Sequence, residues 1–245
     1  MCGINKDIHY RVKRKVNRKV AESDEWITLE EIDDYVNEAQ AYWVRSLVKV
    51  SEADQFIDDC LSDLLVRDKK LTVTSDPDGV FAEYPKNYLK RLKVKVLASK
   101  KCDKVTPDCE DCKARELTVR IVSSDDYAEA VKSPYWRSSF EYEEILGKVG
   151  KGGLHLVVRD FNIDAVYLDY YRMPKEMRTP TLRKQGGYKT PDGSAVTQDQ
   201  CFELLSSFQV EYVTDIAVIM IERDTRNVEG WQSQIQTIIN NRQLT

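Results

Sequence analysis

The feature that most constrains this chain is a double change of hydrophobic period. Between Thr28 and Leu65 apolar residues recur every three or four positions; from Leu71 to Tyr171 they recur every second position. Beyond Ser206 the longer period returns. A period near 3.6 buries one side of a helix and a period of two buries one side of a strand, so neither pattern can substitute for the other. The expected class is therefore α+β, with an N-terminal helical pair, an antiparallel β-sheet with hairpins, and C-terminal helices.

Local signals place the elements. Thr28-Leu-Glu-Glu31 is a capping box, and Ile32, Tyr35, Val36, Ala39, Trp43 and Leu47 then form one helical face. Ser51 is placed to cap a second helix whose apolar side is Phe56, Ile57, Cys60, Leu61, Leu64 and Leu65. Leu92, Val94 and Val96 alternate with Arg91, Lys93 and Lys95, and Leu117, Val119 and Ile121 alternate with Thr118 and Arg120. These two strands are expected to pair across a polar excursion at 99–115, leaving a cationic ladder of Arg91, Lys93, Lys95 and Arg120 on the solvent side. Ser123–Asp126 is a second capping box, opening a short helix that must stop near Ser133-Pro134. Residues 141–149 and 154–159 flank the glycine-rich turn at 150–153, and the β-branched, aromatic run 163–171 reads as a central strand. Residues 174–195, with three prolines and three glycines, read as a mobile loop. Val210 to Ile221 and Trp231 to Ile239 close the chain as helices. The expected organisation is a basic N-terminal arm at 1–22 and a single α+β domain over 23–245, carrying a cysteine-bearing hairpin insertion at 99–115.

Charge is unevenly spread. The net charge of −4 conceals seven bases and one acid in residues 1–20, followed by fourteen acids and three bases in residues 21–68. Such a pair of blocks has three uses: binding nucleic acid, folding the arm onto its own acidic neighbour, or reaching the acidic block of another copy. The candidate interaction residues are Lys6, Arg11, Lys13, Arg14, Lys15, Arg18 and Lys19 on one side and Glu30, Glu31, Asp33 and Asp34 on the other.

Few residues suggest chemistry. No apolar run approaches the ~18 residues that cross a bilayer, and the first residues lack a signal-peptide core, so neither membrane insertion nor secretion is expected. Six cysteines in an unsecreted chain read as reduced thiols or a metal site. Cys102, Cys109 and Cys112 supply three thiols of a possible zinc site, whose fourth ligand would be Cys60, Cys201 or an aspartate such as Asp103; unliganded surface thiols are the alternative. Otherwise no cofactor is expected. The opening MetCysGlyIle resembles that of N-terminal-nucleophile amidotransferases, with Cys2 as attacking thiol, but the charged residues that follow cannot form the strand such a site needs. GlyLysValGlyLysGlyGly at 147–153 lacks the Ser/Thr and the following helix of a phosphate loop. His155 lies in an apolar strand, where a hydrogen-bonded structural histidine is the expected role. No enzymatic activity is expected.

Several segments in order resemble a known family. Residues 29–40 with TyrTrpVal at 42–44, the segment 78–92 with its Pro85-x-x-Tyr88 turn, and the helix and proline–aromatic turn at 123–136 are similar to the neck proteins of crAss-like tailed phages. So are 165–174, ending in Tyr170-x-x-x-Pro174, and the helix 206–222. The insertion at 99–115 lies outside that pattern. The resemblance implies a non-enzymatic virion protein of the head-to-tail connector: a ring or adaptor subunit below the portal, assembled in the host cytoplasm, with twelve copies around the DNA channel. Its partners would be copies of itself, the portal, and other neck or tail proteins, with no membrane. The alternative taken from the residues is a nucleic-acid-binding module that uses the basic arm.

Overall fold

The structure, a computed structural model, describes residues 2–19, 27–50, 59–76, 79–100, 114–133, 135–180, 188–189, 193, 195–204, 206–226 and 231–240. In chain order these form α1 (Gly3–Lys19), α2 (Leu29–Val50) and a 3₁₀ turn (Ser62–Leu64). Strands β1 (Leu65–Lys70), β2 (Thr72–Asp76), β3 (Gly79–Glu83), β4 (Tyr88–Lys100) and β5 (Arg115–Val122) follow. After α3 (Tyr127–Lys132) come β6 (Glu144–Gly150), β7 (Gly153–Val157) and β8 (Phe161–Arg172). The chain closes with β9 (Tyr188–Lys189), β10 (Ala195–Val196), α4 (Ser207–Arg226) and α5 (Trp231–Asn240). The class is α+β.

The chain divides into two compact units, Met1–Asp63 with Met173–Thr245, and Leu64–Arg172. The expected division is an arm at 1–22 and one domain at 23–245; in the structure α1 belongs to the first of these two units. Ile8, Val12 and Val16 recur every four residues along α1 and are buried, so Gly3–Lys19 is a structural helix of the first unit.

In the helical unit, α4 is the central element. Val210, Val213, Ile216, Ala217, Val218, Met220 and Ile221 are all buried, a stripe wide enough to meet α1, α2 and α5. The α2 capping box forms as expected: the Glu31 N–H donates to Thr28 Oγ1 at 3.2 Å and the Thr28 N–H donates to Glu31 Oε2 at 2.7 Å. Ile32, Val36, Ala39, Trp43 and Leu47 are buried, and the Trp43 ring stacks on Tyr212 of α4 at 6.0 Å. Of the expected second helix, 51–58 lies outside the described residues. Cys60, Leu61 and Leu64 are buried, whereas Leu65 already begins β1.

The second unit is an eight-stranded sheet in the order β1-β8-β4-β5-β6-β7-β3-β2. Its two edge strands are consecutive in sequence, separated only by Leu71, whose N–H donates to the Val166 carbonyl at 2.9 Å. A sheet whose first and last strands share one linking residue has to curl, and its inner side forms a core with Val96, Leu117, Ile145, Leu156, Phe161, Val166 and Leu168. The predicted β4–β5 pairing is present, with Val96 opposite Leu117, and β8 lies inside the sheet between β1 and β4.

One expectation needs correction: β5 and β6 run parallel, so the sheet is mixed. Parallel neighbours require a crossover, and α3 with the loop that follows it provides one. The 150–153 turn forms as read, with Gly152 at φ +79°. At Gly79 a Cβ would collide with the Leu156 carbonyl, so only glycine lets β3 approach β7 there.

Candidate functional site

The basic and acidic blocks meet inside the helical unit. His9, on the inner side of α1, places Nε2 2.7 Å from Asp33 Oδ1 and 2.9 Å from Thr179 Oγ1. The Thr179 N–H donates to Asp33 Oδ2 at 2.8 Å, and all three residues are buried. A buried carboxylate must collect donors, and Asp33 collects them from the imidazole, the hydroxyl and the Thr179 backbone.

Beside it the Arg178 guanidinium, 5% exposed, donates to Asp34 Oδ1 at 2.5 Å and to Glu176 Oε2 at 2.7 Å. Burial works against its charge, but the hydrogen bonds and attraction of Glu176 and Asp34 prevail and hold its pKa above the ordinary arginine value. Two asparagines complete the frame by pairing with backbone as another peptide would. Asn5 donates to the Gln200 carbonyl at 2.8 Å and accepts the Phe202 N–H at 2.9 Å. Asn37 accepts the Met177 N–H at 2.7 Å and donates to its carbonyl at 2.9 Å. Arg178 and Gln200 form a backbone bridge with each other, and a disulfide joins Cys2 to Cys201 with Cα atoms 5.5 Å apart.

These contacts revise several expectations. The described start of the 174–195 loop is pinned: Met177, Arg178 and Thr179 are buried under α1 and α2, while 181–187 lies outside the described residues. Asp33 is buried against His9 and Thr179, whereas Asp34 accepts from Arg178 with its side chain still 44% exposed. Glu31 serves the α2 cap and Glu30 is partly buried. Lys15 pairs with Asp215 of α4, and Arg11 pairs with Asp7 one turn away. Lys6, Lys13 and Arg14 remain on the outer face without an ion-pair partner among the described residues. Arg18 and Lys19 end α1. Cys2 and Cys201 are paired, contrary to the reading of reduced thiols, and the pairing removes Cys2 as a nucleophile. Cys60 is buried and forms no disulfide among the described residues; Cys102, Cys109 and Cys112 lie outside the described residues. Among the described residues no cluster of three His, Cys, Asp or Glu could hold a metal, and no helix is long and apolar enough to cross a membrane.

The His9–Asp33–Thr179 cluster has the residue types of a nucleophilic triad but not its wiring. A triad needs one imidazole nitrogen for the carboxylate and the other for the hydroxyl. Here Nε2 faces both, Nδ1 is buried with no hydrogen-bond partner, and Thr179 is 1% exposed, closed to a substrate. The cluster holds helices together.

In the sheet unit the expected cationic ladder is interleaved with acids. Lys95 donates to Asp68 at 2.9 Å, Lys93 stands opposite Asp169, and Arg120 lies 4.0 Å from Glu144. His155 donates or accepts through Nδ1 at 2.9 Å from Asp76, a hydrogen-bonded sheet histidine as read. Asp76 also lines an open cleft of about 730 Å³ with Tyr127, Arg159 and Asn162. More prominent is the loop after α3, where Tyr135 is 89% and Tyr142 82% exposed, with Trp136 beneath the Arg120 guanidinium at 5.0 Å.

The pairings missed in the sequence are all long-range: Cys2 and Cys201, Asn5 and Gln200, and His9 and Thr179 are 170 or more positions apart, and Asn37 and Met177 are 140 apart. No local spacing could have joined them. No family model matches the chain, and no curated protein matches it.

Proposed function

We propose that the protein is a structural subunit of a tailed-phage head-to-tail connector, one of several copies forming a ring below the portal around the DNA channel. Supporting this reading is the location of the segments that resemble crAss-like neck proteins. They fall on frame elements of both units: 29–44 on α2, 78–92 on β3 and the start of β4, 123–136 on α3 and its exit, 165–174 on the end of β8, and 206–222 on α4. A resemblance carried by framework in chain order concerns the fold as a whole rather than one loop. Ring closure requires a patch that meets a different patch on the next copy. Unlike surfaces are present, cationic on α1 and acidic–aromatic on the loop after α3.

Native mass measurement and negative-stain imaging of concentrated protein, alone and with portal protein, test the proposal. Rings or portal-bound complexes are expected; a chain that stays monomeric and binds neither portal nor other neck proteins overturns it.

The second reading, a nucleic-acid-binding module, draws on Lys6, Lys13 and Arg14, which are exposed on one face of α1. Its signature would be DNA affinity that falls steeply with salt and is lost in Lys13→Glu/Arg14→Glu.

A further inference from the structure

We propose that the outer face of α1 in one copy docks on the 135–144 loop of a second copy. This contact presupposes the assembly proposed above and names the surfaces that make it.

Among the described residues, six large apolar side chains are exposed, and four of them, Tyr10, Tyr135, Trp136 and Tyr142, lie in these two segments. Tyr10 is 63% exposed on α1. Lys6, Lys13 and Arg14 flank it at spacings of four, three and four, so all four side chains share one helical face. On the loop, Tyr142 stands between Glu141 and Glu143, exposed carboxylates without an ion-pair partner among the described residues, and Tyr135 and Trp136 precede the exposed Arg137. Each surface thus offers exposed tyrosine amid charge: the helix face has a cationic excess, and the loop, with Arg137 against Glu141, Glu143 and Glu144, has an acidic one. Aromatic anchors supply contact area at little entropic cost, and opposite charge around them sets orientation and partner choice.

The loop is preorganised for such a role. Ser138 Oγ donates to the Val157 carbonyl at 2.7 Å and accepts the Leu146 N–H at 3.0 Å. Ser139 and Glu144 exchange backbone hydrogen bonds at 2.9 and 3.1 Å. Glu143 holds φ +54°, outside the strand region, while its carbonyl accepts the Thr118 N–H at 2.8 Å. A loop fixed before docking loses little freedom on binding. A nucleic acid would find no such match here, because Glu141, Glu143 and Glu144 would repel its phosphates. A second copy brings the complementary cations.

The test uses the full chain and two charge reversals, Lys13→Glu/Arg14→Glu and Glu141→Lys/Glu143→Lys, with Tyr142→Ser as a charge-neutral third variant. Sedimentation and native mass read the association, and thermal melting checks that each variant folds. Each variant alone is expected to associate at least tenfold more weakly than the parent. An equimolar mixture of the two reversals is expected to regain association, because every helix then meets a loop of opposite sign. A parent that assembles while all three variants assemble equally well overturns the contact and leaves the connector reading standing. A parent that never assembles, alone or with portal, overturns both. Loss of DNA binding in Lys13→Glu/Arg14→Glu with unchanged assembly assigns the helix face to nucleic acid and overturns the contact.

Discussion

Nε2 of His9, on the most basic segment of the chain, lies 2.7 Å from Oδ1 of Asp33, on the most acidic. The basic and acidic segments are thus joined within the protein, through a hydrogen-bonded pair buried at 3% and 0% exposure. Replacing Asp33 by Ala leaves the imidazole, the Thr179 hydroxyl and the Thr179 N–H without their shared acceptor. A loss of about 2–4 kcal/mol in unfolding free energy is expected, measured by urea denaturation. A change below about 0.5 kcal/mol would show that the cluster does not hold α1 in place.

Asn37 makes both of Met177's backbone hydrogen bonds. Asn37→Ala removes both partners from partly buried peptide groups and should lower stability by about 1–3 kcal/mol. Amide hydrogen exchange at Met177 should rise at the same time, a change that a purely global loss of stability would not confine to this segment.

The Cys2–Cys201 disulfide closes a loop spanning a sequence separation of 199. In the chain-entropy account a loop of that length contributes about 5 kcal/mol. Peptide mapping without reductant should recover the two cysteines in one linked fragment, and Cys201→Ser should lower the melting temperature while abolishing its dependence on reductant. Separate, alkylated peptides from the unreduced protein would contradict the pairing.

Tyr35 donates to Asp224 Oδ2 at 3.0 Å, and burial, followed by that hydrogen bond and the carboxylate charge, pushes its pKa up to about 12. The folded protein thus keeps the phenol neutral where the unfolded chain, titrating near its ordinary value, would ionise it. The associated stability is intact below about pH 10 and is lost between about pH 10 and 12. Tyr35→Phe should flatten that part of the alkaline stability profile and remove one late-titrating phenol from the ultraviolet spectrum.

Legibility in the sequence followed distance along the chain. The Thr28–Glu31 cap, the β4–β5 pairing and the turn around Gly152 were readable because each depends on a few neighbouring residues or on simple alternation. The parallel β5–β6 pair was not, since direction is set by the crossover path and leaves no mark on the strands themselves. Nor was α1 recognisable as a core helix. Its bases dominate the composition, and the buried stripe of Ile8, Val12 and Val16 is only three residues wide. The acids went astray in the same way: a list of charges does not tell Asp33, facing His9, from Glu31, facing the α2 terminus.

Because Leu64–Arg172 sits between the two stretches that build the helical unit, synthesis imposes a schedule. Residues of α1 and α2 leave the ribosome before the sheet, yet the helix that covers them, α4, is made only after it. Meanwhile the inserted sheet contains all its own strands and can finish folding. For the time it takes to translate more than a hundred residues, Ile8, Val12, Ile32 and Trp43 await their counterpart, and nascent chains in that interval are where chaperones would find exposed apolar surface to hold.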